Sequence, residues 1–167
     1  IEHSGILDNG RTNYGIGSIE ILMLDAGECL VDDIEVLDAS GNNMLSGGTF
    51  EGGAPGWEFR GNHKYSMLLD GEGYQSSRSL WVRASGRGDT GPNQILCPLI
   101  KSFQPGDRAT IRARVRWLSG HPEIVLRLHG NFLEATGPMM LPASLGTPGL
   151  ANSRSVTNAG PALFEVS

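Results

Sequence analysis

Apolar and polar positions trade places with a period of two along most of this chain, the signature of half-buried β-strands. The clearest case is ATIRARVRWLSG (109–120). There Ile111, Ala113, Val115 and Trp117 fall on one side, and Thr110, Arg112, Arg114 and Arg116 on the other. SIEILML (18–24) is apolar on both sides, as a central strand of a sandwich is. The turn DAGE (25–28) leads into CLVDDIEVLD (29–38), and the two runs read as a hairpin. YSMLLD (65–70), SLWVRAS (79–85) and QILCPLI (94–100) predict further strands, with Pro98 marking an edge or a bulge. TFEGG and PGWEFRG read as short extended pieces, and HPEIVLRLHGNFLEA (121–135) carries another strand. ASGNNMLSGG (39–48), GEGYQSSR (71–78) and GRGDTGPN (86–93) read as loops. The pattern predicts an all-β sandwich of about eight or nine strands with no amphipathic helix.

From about Thr136 the periodicity stops. Residues 136–167 are rich in Pro, Gly, Ser, Asn and Ala and read as an extended tail, or as a linker to a following domain. The sandwich itself is expected within 1–135.

Composition agrees with many short strands and turns: 24 glycines and 9 prolines in 167 residues, with 39% hydrophobic and 19% charged. The net charge of −5 is spread without a basic block, so no nucleic-acid partner is expected. No apolar run approaches the roughly 20 residues of a membrane helix, so no membrane partner is expected either. The chain opens at Ile1 without a methionine and reads as a fragment of something longer. Cys29 and Cys97 form no zinc-type spacing; a disulfide and two buried thiols are both open readings.

LVDDIEVL (30–37) poses the chemical question. In a regular strand Asp32 shares a side with Leu30, Ile34 and Val36, which aims a carboxylate at the core. Burying an ionised aspartate costs several kcal/mol or more unless it is paired or metal-bound. Asp32 and Asp33 are poor as a catalytic pair, because neighbours on a strand point to opposite faces. No GxSxG elbow, HExxH or P-loop occurs, and the R-G-D string at Arg87–Asp89 is too short to carry an adhesive role by itself. No enzyme is expected.

GGTFEGGAPGW (47–57) resembles the opening of carbohydrate-binding modules with a galactose-binding-like jelly roll. LVDDIEV is similar to the strand that closes them, and GYQSSRSLWVRA to a segment between. The closing motif here precedes the opening one, so either residues 1–38 end a preceding jelly roll and a new one starts near Asn42, or one jelly roll is written in permuted strand order; the strand count favours the second, completed by the hairpin 18–37. LGTPGLANS in the tail resembles the end of a lamin-tail module. Such jelly rolls occur in large secreted multidomain bacterial proteins, which implies an extracellular or cell-surface location and neighbouring domains as partners. In the resembling modules a first-strand glutamate and a last-strand aspartate bind a structural Ca²⁺. Carried over, the calcium ligands are Glu51 with Asp32 or Asp33, and backbone carbonyls near Gly48 and in 71–78. The plainer reading is that backbone N–H groups or arginines hold these aspartates.

Polysaccharide or anionic glycan is the expected ligand class. The arginine side of 109–120 (Arg112, Arg114 and Arg116, joined by Arg127 and His129) suits carboxylate or sulfate. The favoured, plainer reading is a solvated face neutralised by Glu20, Glu123 or Glu134. Trp57 and Trp117 are expected in the core, Trp81 at the surface, with Tyr65, Tyr74 and His63 on loop-flanking positions that a sugar site can use. Aromatics at 7% are lean for a glycan binder. The alternative function is a structural spacer or protein-interaction sandwich with no glycan ligand.

Overall fold

The alternating runs fold as strands paired into two sheets. A computed structural model describes residues 1–7, 16–89, 91–129 and 133–139. The strands are β1 (Glu2–Ile6), β2 (Ile16–Met23), β3 (Gly27–Leu37), β4 (Glu58–Phe59) and β5 (Met67–Asp70). They continue with β6 (Arg78–Ala84), β7 (Ile95–Phe103), β8 (Arg108–Gly120), β9 (Glu123–Leu128) and β10 (Glu134–Pro138). Sheet A has the order β1-β8-β3-β6-β5 and sheet B the order β10-β9-β2-β7-β4, with every pairing antiparallel. Most consecutive strands lie in opposite sheets, which is jelly-roll connectivity. Among the described residues no helix is long and apolar enough to cross a membrane.

Strand β8 alternates as its sequence requires: Ala109, Ile111, Ala113, Val115 and Trp117 are buried between the sheets. Ile19, Ile21 and Met23 of β2 and Ile124, Leu126 and Leu128 of β9 bury the facing side of sheet B. Phe50 and Trp57 are both buried, their rings 5.4 Å apart and tilted by 48°. Trp57 and Trp117 are therefore core residues, as expected. Cys29 and Cys97 are both free and buried; burial pushes the Cys97 thiol up to about 11 and the Cys29 thiol further still.

Four expectations change. The runs 18–24 and 29–38 are not a hairpin: β2 pairs with β7 and β9, while β3 pairs with β6 and β8. Each is a central strand with a neighbour on both edges, so the turn at 24–26 arches from one sheet to the other. The tail does not start at Thr136, because β10 continues through Pro138 and Met139 is buried. The rest of it, with its lamin-tail-like motif, lies outside the described residues. Finally, β1 went unread because EHSGI is polar and barely alternates. It is an edge strand held by backbone pairing to β8.

The largest change concerns Asp32. Opposite β8, Asp32 pairs with Arg114 and Glu35 with Arg112, so Asp33 and Ile34 together face Ala113 alone. This is a β-bulge, and Asp33 sits in it at φ 47°, a conformation aspartate tolerates better than most residues. The extra residue reverses the phase. Leu30 and Asp32 lie opposite Arg116 and Arg114 on the outer face of sheet A, while Ile34 and Val36 turn inward. The aspartate never points at the core.

Gly48 fixes the chain across this bulge. Its carbonyl accepts the Ile34 N–H at 3.0 Å, and a Cβ there would stand 2.0 Å from the Ile34 carbonyl oxygen. Backbone cannot yield as a side chain can. Gly48→Ala is expected to cost about 1–3 kcal/mol, read from the urea midpoint, because an overpacked site must shift its surroundings.

Candidate functional site

The outer face of sheet A carries the arginines, and the β5–β6 loop 71–77 folds back over it. That loop explains how an outward aspartate comes to be fully buried. Asp32 Oδ2 accepts the Tyr74 N–H at 2.7 Å and the Ser76 hydroxyl at 2.9 Å, and Oδ1 accepts the Asp33 N–H at 2.8 Å. Desolvation raises its carboxyl above the ordinary range, opposed by those hydrogen bonds. Asp33 is raised too, first by desolvation, with Arg114 opposing and Glu35 adding.

From the other side, Glu51 Oε1 accepts the Ser77 N–H at 3.1 Å and the Arg78 N–H at 2.7 Å. Asp32 and Glu51 thus grip the same short loop. Held this way, the loop lays Tyr74 against Arg114, with the guanidinium carbon 4.9 Å from the ring centroid, and brings Glu72 to Arg116 in an ion pair.

Beside the loop lies a cleft of about 480 Å³. Arg112 and Arg114 of β8, Glu2 of β1, and Asp33 and Glu35 of the β3 bulge line it, closed by Asn43 and Thr49 of the following loop. Arg112 is ion-paired with Glu35, and Asn43 Oδ1 accepts the Val36 N–H at 3.1 Å and the Leu45 N–H at 3.0 Å. Two guanidiniums and three carboxylates share one concave wall.

The remaining candidates separate. Trp81 faces outward and is half-buried; Arg83 stacks 4.5 Å from its ring and Glu28 accepts its indole N–H at 3.1 Å. Tyr65 is exposed with the Lys64 ammonium 4.9 Å from its ring, away from the cleft wall. His63 has no exposed surface. Its Nε2 accepts the Met23 N–H at 3.1 Å and its Nδ1 meets Asn62 Oδ1 at 2.5 Å, and burial lowers its pKa to about 4. It holds the fold and cannot reach a surface ligand.

The arginine partners also differ from expectation. Glu35 and Glu72 answer Arg112 and Arg116, whereas Glu20 and Glu134 belong to Arg127 on sheet B and Glu123 to His121. Strand β9 lies in the other sheet, so Arg127 and His129 do not join the arginine face. In the R-G-D string, Gly88 is buried with its N–H on the Met23 carbonyl, and Asp89 accepts the Gly91 N–H. Gly88 anchors the backbone of the tripeptide, and Arg87 and Asp89 on either side of it are exposed.

Sequence reasoning missed Glu2, Glu35, Asn43, Thr49 and Glu72. Glu35 carried a signal: it stands within LVDDIEVL, but only the bulge places it across from Arg112.

A calcium ion takes six to eight oxygens at about 2.3–2.6 Å. The oxygens of Asp32, Glu51 Oε1 and the Gly48 carbonyl accept N–H and O–H donors. Among the described residues no group of three or more His, Cys, Asp or Glu side chains is placed to hold a metal. The donor set fits a hydrogen-bonded clasp. No family model, curated protein or solved structure matches this chain.

Proposed function

We propose that this sandwich is a non-catalytic binding module of a larger extracellular protein, and that its cleft takes a neutral glycan. The observation that carries the reading is the mixed lining of the cleft: Arg112 and Arg114 donate where Glu2, Asp33, Glu35 and Thr49 offer oxygen. A sugar hydroxyl both donates and accepts, so alternating charged donors and acceptors suit a polyhydroxylated chain. Three carboxylates against two guanidiniums leave the wall net negative, which disfavours a sulfated or uronate polymer. The ligand class therefore narrows from polysaccharide or anionic glycan to neutral glycan.

The test is a carbohydrate array followed by calorimetry. A neutral oligosaccharide such as cellohexaose or a galactan fragment is expected to bind, and polygalacturonate to fail. Arg112→Ala is expected to weaken binding about tenfold or more, the loss of a hydrogen bond from a charged group. Arg60→Ala, which breaks an exposed pair with Glu58, is expected to leave binding unchanged. Preference for the anionic polymer, or indifference to Arg112→Ala, overturns the reading.

The second reading is a structural spacer with no glycan ligand. The internal pairing of the face favours it: Glu35, Glu72 and Glu28 already answer Arg112, Arg116 and Arg83. An array without binders, together with tight association to a neighbouring domain of the parent chain, supports that reading.

A further inference from the structure

We propose that Asp32 and Glu51 form a metal-free clasp, in which protein donors take the place a structural cation holds in the jelly rolls this chain resembles. The inference concerns loop geometry and does not rest on the glycan reading. Two carboxylates from different parts of the chain converge on one loop of 71–78. Asp32, fully buried, takes the Tyr74 N–H and the Ser76 hydroxyl, and Glu51 takes the Ser77 and Arg78 N–H groups. Backbone amides at 74, 77 and 78 thus point at carboxylates across the sheet instead of at water or at each other.

A hydrogen-bond donor and a cation compete for the same lone pairs, so a loop whose amides face the carboxylates leaves fewer of them for an ion. The loop itself has the composition for this. Ser76 supplies the hydroxyl, and Gly73 supplies clearance, since a Cβ there would stand 2.2 Å from Ser76 Oγ and 2.7 Å from the Arg78 carbonyl oxygen.

The clasp is a positioning device. It sets Tyr74 against Arg114, whose guanidinium borders the cleft, and Glu72 against Arg116 further along β8. Asp32 and Glu51 act through the loop and are positioning residues, touching no ligand themselves.

Amide hydrogen exchange and thermal unfolding test this on the whole chain. The wild type is expected to melt at the same temperature in calcium chloride and in EGTA, with the Tyr74, Ser77 and Arg78 amides protected in both. Asp32→Asn is expected to speed exchange at Tyr74 by roughly tenfold or more, and Glu51→Gln to do so at Ser77 and Arg78, as each loses its charged acceptor. Should Asp32→Asn fail to fold, Glu51→Gln carries the test alone, since Glu51 is exposed. A calcium-dependent rise in melting temperature that either variant abolishes overturns the proposal. Unchanged exchange at these amides in Glu51→Gln overturns it as well.

Discussion

Replacing Glu20 by alanine is expected to destabilise the fold by about 3–5 kcal/mol, the cost of stranding the other half of a buried ion pair. For a domain of this size that lowers the melting temperature by roughly 10 °C or more. Glu20 lies on the outer face of sheet B and has no exposed surface. It stands opposite Arg127 on β9, whose Nε is 2.8 Å from its Oε2, and His129 Nδ1 contacts its other oxygen. With the carboxylate gone, a guanidinium only 12% exposed keeps the more distant Glu134, at 3.3 Å, and the longer-range field of Asp89. Glu134→Ala is the control: its carboxylate is 33% exposed, and its loss is expected to cost at most about 1 kcal/mol. Urea unfolding of both variants at pH 7 measures the difference. Equal costs would mean that Arg127 is solvated despite its burial.

Acid is expected to weaken the fold through His63. The folded pKa of about 4 lies below the ordinary 6.5 because burial penalises the charged ring. Below 6.5 the unfolded chain therefore binds a proton that the folded chain refuses. The contribution of His63 is complete above pH 6.5, falls as pH drops from 6.5 towards 4, and falls no further below that. The displacement corresponds to about 3 kcal/mol over the window. The geometry gives the cause: protonation at Nε2 removes the acceptor of the Met23 N–H, in a site that also contains Asn62 and the docked loop at Gly88. In His63→Gln the pH dependence of the urea midpoint between 6.5 and 4 is expected to flatten relative to wild type. An equal slope in the variant would assign the acid loss to other groups.

The strands were legible where burial follows strict alternation. ATIRARVRWLSG declared both its faces, and Trp81 between Leu80 and Val82 declared that it faces outward. The pairing of strands was not legible. The turn at 24–26 has the length of a hairpin, and only the demand of two central strands for separate neighbours sends them to different sheets. The site was hidden by one residue. A period of two assumes no bulge, and Asp33 at positive φ breaks the phase, so the sequence pointed Asp32 inward and left Glu35 unremarked. The pairing of Asp32 with donors from 42 and 44 positions away has no local signature at all.

The most direct test of the binding reading is to map backbone and side-chain NMR shifts while cellohexaose or the best neutral binder from an array is added. The account predicts shifts clustered at Asp33, Glu35, Asn43, Thr49, Arg112 and Arg114, with Trp81, Tyr65 and Arg127 unmoved. Shifts centred on Trp81 and Met67 instead would contradict it and place the ligand on the far side of the 71–77 loop.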